Sequence, residues 1–207
     1  MPMLKKTSGL IGLLTIILLL FVAPLALGAD RVLLMPTADV SGTPLELEYS
    51  YYRGQSIVDL TAGLYPGFKV GIRQEFNGSF SATAKVAVLT EDAKRPGLAL
   101  GGELSTAGQH VYAVFSKQLG RPDLRGHAGL GTGRYSRGMA GVTLLLNPVM
   151  VKSKQGLAFP ATTLGAEYDG AGINAGLALQ FSPEFGGYLA LTGGSGLGFG
   201  FNYRTEF

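Results

Sequence analysis

From residue 44 onward, apolar and polar side chains alternate with a period of two in segment after segment. Phe68, Val70, Ile72 and Phe76 stand against Lys69, Gly71, Arg73 and Glu75. Phe80, Ala82, Ala84, Val86 and Val88 stand against Ser81, Thr83 and Lys85, and Ile173, Ala175, Leu177, Leu179 and Phe181 against Asn174, Gly176 and Gln180. A β-strand turns successive side chains to opposite faces, so this period is a strand signal. No window carries a helical i, i+3, i+4, i+7 apolar pattern free of Gly or Pro. Turn dipeptides separate the runs: Pro66-Gly67, Asn77-Gly78, Asp169-Gly170, Ser182-Pro183 and Gly193-Gly194. The pattern predicts strands near 44–52, 56–65, 68–76, 80–89, 97–105, 109–118, 124–132, 137–146, 161–169, 172–181, 186–193 and 196–207. Residues 31–35 form a candidate extra extended segment, and the stretch 147–160 is the longest loop, with room for a short strand.

The apolar face of these strands decides what surrounds them. In the clearest strands it carries no charge. The opposite face carries Glu46, Glu48, Lys69, Arg73, Glu75, Lys85, Glu103, Arg125, Glu167, Asp169, Arg204 and Glu206. A charge facing lipid at mid-depth costs about 2–4 kcal/mol, so in a membrane the polar face must line an interior. Lipid also excludes open sheet edges, so the sheet must close. Segments of about ten residues suit tilted membrane strands. Aromatic residues gather at strand ends (Tyr51, Tyr52, Tyr65, Phe68, Phe76, Phe80, Tyr168, Phe181 and Phe185), as in interfacial girdles. The chain ends on alternating apolar residues through Tyr203 to Phe207, which look like a C-terminal signal for insertion by the outer-membrane barrel machinery. The expectation is an all-β fold: one antiparallel transmembrane β-barrel of about twelve strands, within ten to fourteen.

Lys69, Arg73, Glu75, Lys85, Glu103, Arg125, Glu167, Asp169, Asn174 and Arg204 are the candidate lumen-lining residues. Both signs occur in near balance, so these groups are expected to pair and fill a narrow lumen; a single-signed lining, the mark of ion selectivity, is absent. Gly makes up 32 of 207 residues, about twice the usual roughly 7%. Gly71, Gly101, Gly129, Gly131, Gly165, Gly176, Gly198 and Gly200 fall on the polar face. There they either leave room for long side chains or let strands bend.

The amino terminus reads as an address. Lys5 and Lys6 precede an apolar run over 10–28 that ends Ala26-Leu27-Gly28-Ala29, the layout of a secretory signal peptide cleaved after Gly28 or Ala29. The organisation is a signal peptide, 1–28, and a barrel, 29–207, destined for the outer membrane. The chain has 17 Lys+Arg and 14 Asp+Glu, so losing Lys5 and Lys6 leaves 15 against 14 and a net charge of +1. That is no basis for nucleic acid binding. With no Cys, a disulfide scaffold, a Cys metal site and a lipoprotein anchor are all excluded.

Catalytic motifs are sparse. The glycine clusters at 129–133 and 194–198 complete no G-x-G-x-x-G and open no helix. His110 and His127, with Ser116 and Ser136 in the same stretch, form no recognisable hydrolase set and have no ligand partner at metal spacing. Glu167 and Asp169 share a strand face as glycosidase carboxylates could, but a lumen ion pair facing Lys or Arg is the expected role. Asn77-Gly78-Ser79 fits a glycosylation sequon and is read as a hairpin turn. No enzyme, cofactor or metal is expected.

Several stretches resemble the YjbH-like family of outer-membrane β-barrels associated with exopolysaccharide production. They are Met35-Pro36-Thr37-Ala38-Asp39; Ala84-Lys85-Val86 with Pro96-Gly97-Leu98-Ala99-Leu100-Gly101; Ser116-Lys117 followed by Gly129-Leu130-Gly131; and Glu167-Tyr168-Asp169-Gly170 with Asn174-Ala175-Gly176. They occur in order across most of the chain after the signal. Lys69 stands where that family usually has Glu, and larger relatives carry further domains. The resemblance implies an outer-membrane barrel that assists polysaccharide export or cell-envelope organisation, with lipid, the insertion machinery and secretion or polysaccharide components as partners. It supplies no catalytic residues. The polar lining alone supports an alternative, a passive diffusion channel for small polar solutes.

Overall fold

The computed structural model describes residues 30–207 except 41, 43, 44, 107, 153–157, 194, 195, 206 and 207. The expected signal peptide, its cleavage point and Phe207 therefore lie outside the described residues. The strands are β1 (Leu45–Tyr52), β2 (Gln55–Tyr65), β3 (Phe68–Glu75), β4 (Phe80–Leu89), β5 (Gly97–Ser105), β6 (Gly108–Gln118) and β7 (Leu124–Gly131). They continue with β8 (Met139–Asn147), β9 (Val151–Lys152), β10 (Ala158–Phe159), β11 (Ala161–Tyr168), β12 (Ile173–Gln180), β13 (Phe185–Thr192) and β14 (Gly196–Thr205). A 3-10 turn, Gly133–Tyr135, follows β7. All strands but β9 and β10 close one barrel in the order β1-β14-β13-β12-β11-β8-β7-β6-β5-β4-β3-β2. Every pairing is antiparallel, and β1 closes on β14 from Leu45↔Thr205 to Tyr51↔Phe199. The barrel is thus an all-β fold of twelve strands.

The alternation read in the sequence becomes two opposed surfaces. Leu47, Leu60, Ile72, Val86, Leu100, Val111, Phe115, Leu130, Val142, Leu164, Leu189 and Phe201 are exposed on the outside. Aromatic pairs join neighbouring strands there, such as Phe185 stacked on Phe201 with ring centroids 6.2 Å apart. Glu46, Asp59, Lys69, Arg73, Lys85, Glu103, Glu167 and Asn174 are buried inside. An apolar exterior around a charged interior inverts a soluble barrel and matches what lipid demands. Of the expected girdle, Tyr65, Phe76, Phe80, Phe181 and Phe185 are exposed on the outside. Tyr52 is not part of it. It shares the inward parity of Glu46, Glu48 and Ser50 and lines the lumen.

Turn chemistry sets the hairpins. Between β1 and β2, Arg53 and Gly54 both have positive φ, 52° and 76°, the two-residue turn whose twist suits a hairpin. With an even number of strands, both barrel termini lie at one end. The connections 66–67, 90–96, 119–123, 148–160 and 181–184 share that end, and shorter links dominate the other. The long segment 148–160 carries the β9–β10 hairpin and does not join the barrel.

Residues 31–35 are not a barrel strand. The chain from Asp30 to Thr37 folds into a tight hairpin, with a bridge between Arg31 and Pro36 and bonds from the N–H groups of Val32 and Thr37 to the carbonyls of Met35 and Asp30. The hairpin occupies the lumen. Met35 and Ala38 pack with Ala99, Val114, Tyr135 and Met139, and Val32 and Leu33 pack with Ala190. The apolar core of this molecule is therefore a contact between the barrel wall and its own amino-terminal segment.

Candidate functional site

The candidate functional site is the plugged lumen. Its anchor is Glu167 on β11, which has inward parity and is buried. Its Oε2 accepts the N–H groups of Leu33 and Met35, both at 3.0 Å, and its Oε1 accepts that of Leu34 at 2.9 Å and Nδ2 of Asn174 at 3.0 Å. A tight hairpin tip leaves peptide N–H groups without strand partners, and a buried unpaired N–H costs about 1–3 kcal/mol. One carboxylate satisfies three of them. The expected ion pair of Glu167 with Lys or Arg is replaced by this cradle, because the plug brings donors that the wall alone does not show. Asp169, two residues on, does pair with a cation, Arg53, at 3.0 Å.

Around this anchor the charges form two chains. Arg31 of the plug reaches Glu48 at 3.0 Å and Asp59 at 3.2 Å. Arg73 then bonds Asp59 through Nε at 2.8 Å and Glu103 through Nη1 at 3.4 Å, and Arg134 closes on Glu103 at 2.7 Å. The result is an alternating row across the lumen: Glu48, Arg31, Asp59, Arg73, Glu103, Arg134. The second chain runs nearer the terminal end. Arg204 bonds Glu46 at 3.0 Å, Glu46 bonds Lys69 at 2.7 Å, and Lys69 also pairs with Asp30 of the plug. Lys85 donates to the carbonyls of Asp30 and Asp39 at 3.0 and 2.6 Å. Arg125 joins Asp39 and Glu91, each at 2.6 Å. Buried charges are tolerable only when paired and hydrogen-bonded, and each buried wall charge among the described residues finds either a wall partner or the plug.

Close approach of the plug needs glycine. A Cβ on Gly165 would lie 3.2 Å from side-chain atoms of Val32 and Leu33, and one on Gly141 would lie 3.3 Å from Met35 and Val32. At Gly101 and Gly200 the space is taken instead by neighbouring tyrosines: an added Cβ would come within 2.2 Å of the Tyr112 ring and 2.4 Å of the Tyr188 ring. At these four positions glycine admits the plug or an aromatic ring rather than a long charged chain.

Ser116 and His127 do meet. Ser116 Oγ lies 2.8 Å from His127 Nδ1, and both are buried. Serine Oγ also accepts the N–H of Ala38 at 2.7 Å, and His127 Nε2 faces Thr143 Oγ1 at 3.2 Å rather than a carboxylate. The plug backbone occupies the position a substrate would need. The pair therefore fastens the plug.

Among the lumen-lining candidates, Lys69, Arg73, Lys85, Glu103, Glu167, Asn174 and Arg204 belong to these networks, and Arg125 and Asp169 hold their ends. Glu75 does not enter. It ends β3, and its Oε2 accepts Asn77 Nδ2 at 3.0 Å in the exposed hairpin turn. Tyr203 faces outward and is exposed. Sequence reasoning did not single out Asp30, Arg31, Asp39, Asp59 or Arg134. Asp59 stands directly opposite Arg73 in the β2–β3 register, but a bulge between Gly63 and Tyr65 shifts that register by one, so counting back from Pro66-Gly67 puts Leu60 there instead. The plug residues carry no register signal.

No family model and no curated protein match the chain. One solved structure, the NanC porin in a rhombohedral crystal form, is similar at 13% identity and a TM-score of 0.46, covering 79% of this chain and 100% of that one.

Beside the plug a cavity of about 190 Å³ remains. Its lining includes Tyr52, Thr61, Ala178, Tyr188 and the charged groups of both chains.

Proposed function

We propose that this chain is an outer-membrane barrel held shut at rest by its own amino-terminal hairpin, serving polysaccharide export or envelope organisation and not open diffusion. The observation that carries the closed state is the Glu167 cradle: three successive plug N–H groups end on one buried carboxylate, a match in register that a chance collapse would not produce. The export role rests on the resemblance to YjbH-like barrels in the ordered motifs, among them Glu167-Tyr168-Asp169-Gly170 and the plug segment Met35-Pro36-Thr37-Ala38-Asp39. The second reading, a channel for small polar solutes, is favoured by the cavity beside the plug.

Planar-bilayer recording separates the two. The full chain is expected to be silent and a variant lacking residues 30–40 to give stable conductance steps. Equal conductance from both overturns the closed barrel in favour of the channel. Loss of secreted polysaccharide on deletion of the gene tests the export role, and unchanged secretion refutes it.

A further inference from the structure

We infer that the cavity beside the plug is a binding site for one neutral sugar ring. This deepens the export reading and rests on it for biological sense, though the geometry stands alone.

A water molecule needs about 10–15 Å³ of cavity, so about 190 Å³ holds on the order of a dozen non-hydrogen atoms, which is the count in a hexose. The charges on the lining are already used. Arg31, Lys69, Arg73, Lys85, Arg134 and Arg204 each stand within 4.0 Å of a carboxylate. An anionic ligand would have to displace one of these carboxylates and leave it buried and unpaired, at a large desolvation cost. What remains is hydroxyl and ring surface. Thr61 and the Tyr188 ring belong to the lining. Tyr52 and Tyr112 present further rings and hydroxyls to the same space. A concave space lined by aromatic rings with a few hydroxyl groups is the usual setting for a small polar guest. Hydroxyl groups beside aromatic rings suit a sugar, whose rim of hydroxyls donates and accepts while its C–H faces lie on the rings.

Calorimetric titration of the full chain in detergent with glucose, methyl glucoside and glucuronate tests this. Saturable binding of the neutral sugars is expected, on the order of millimolar for so small a ligand. Tyr52→Phe, which removes only a hydroxyl, is expected to weaken it about five-fold, the worth of one neutral hydrogen bond. Ala178→Phe, which fills the cavity from β12, is expected to abolish it. Heat-modifiable gel migration checks that both variants keep the barrel. Binding of methyl glucoside as tight as glucose identifies the end of a glycan chain as the source; glucose alone identifies a free sugar. Absence of saturable heat with both neutral sugars overturns the site, as does undiminished binding by Ala178→Phe or a clear preference for glucuronate. None of these readouts depends on conductance, so failure of the sugar site and failure of the closed barrel are distinguishable.

Discussion

On the outer face of β11, Leu164 stands between Leu144 of β8 and Leu177 of β12. Three residues further along the same strand, Glu167 points inward and takes three N–H groups of the plug. The two positions share backbone pairing and depart in everything else. Leu164 is held by transfer from water, which is indifferent to which apolar side chain does it. Glu167 is held by partners in fixed places, and no other residue offers two acceptor oxygens at that reach. The outside of the barrel is therefore specified by a pattern, and the inside by particular pairs.

The largest effect is expected at the inner position. Glu167→Ala leaves the N–H groups of Leu33, Leu34 and Met35 buried without acceptors. At about 1–3 kcal/mol each, the plugged state should lose about 3–9 kcal/mol, enough to release the hairpin while the barrel stays closed. Trypsin should then cut after Arg31, read by mass spectrometry as a shortened amino terminus. Conductance steps should appear as they do on deleting residues 30–40. A variant that stays silent and resists trypsin shows that packing of Met35 and Leu33 holds the plug without the carboxylate.

At the outer position the expected loss is smaller and of another kind. Leu164→Arg puts a charge on the lipid face near mid-strand and should cost about 2–4 kcal/mol in a denaturant titration of folding into vesicles. Leu164→Ile should cost much less, because volume and polarity are kept. If Arg and Ile behave alike, the outer face does not meet lipid at this depth and the membrane reading of the whole belt fails.

This contrast explains what the sequence revealed. Strand bounds follow from alternation to within a residue or two; β4 and β5 were expected at 80–89 and 97–105 and run Phe80–Leu89 and Gly97–Ser105. β8 was expected from 137 and starts at Met139, because the 3-10 turn takes up the chain before it and Gly138 adopts a φ of 77°. Closure was legible too, since lipid permits no edge. The plug was not. Val32-Leu33-Leu34-Met35 is a short apolar run without alternation, and its acceptor lies more than a hundred residues away, as in the Leu33–Glu167 bond with a separation of 134. Counting from the turn misses even Asp59 opposite Arg73, because the bulge between Gly63 and Tyr65 shifts the register, and Glu46 opposite Arg204 requires knowing how the first and last barrel strands close.

The smallest effect sharpens the inner rule. Glu75 has the same parity on β3 as Lys69 and Arg73, so pattern alone assigns all three to the lumen. It is the last residue of the strand, and its carboxylate turns into the solvent-facing hairpin toward Asn77. Glu75→Gln keeps an acceptor for that bond and removes a charge that pairs with nothing in the lumen. The change in stability should stay within about 0.5 kcal/mol, and the full chain should remain silent in the bilayer. A loss comparable to that of Glu167→Ala would mean that polar parity by itself, without a buried partner, stabilises this barrel. The distinction between a face set by pattern and a lumen set by pairs would then not hold.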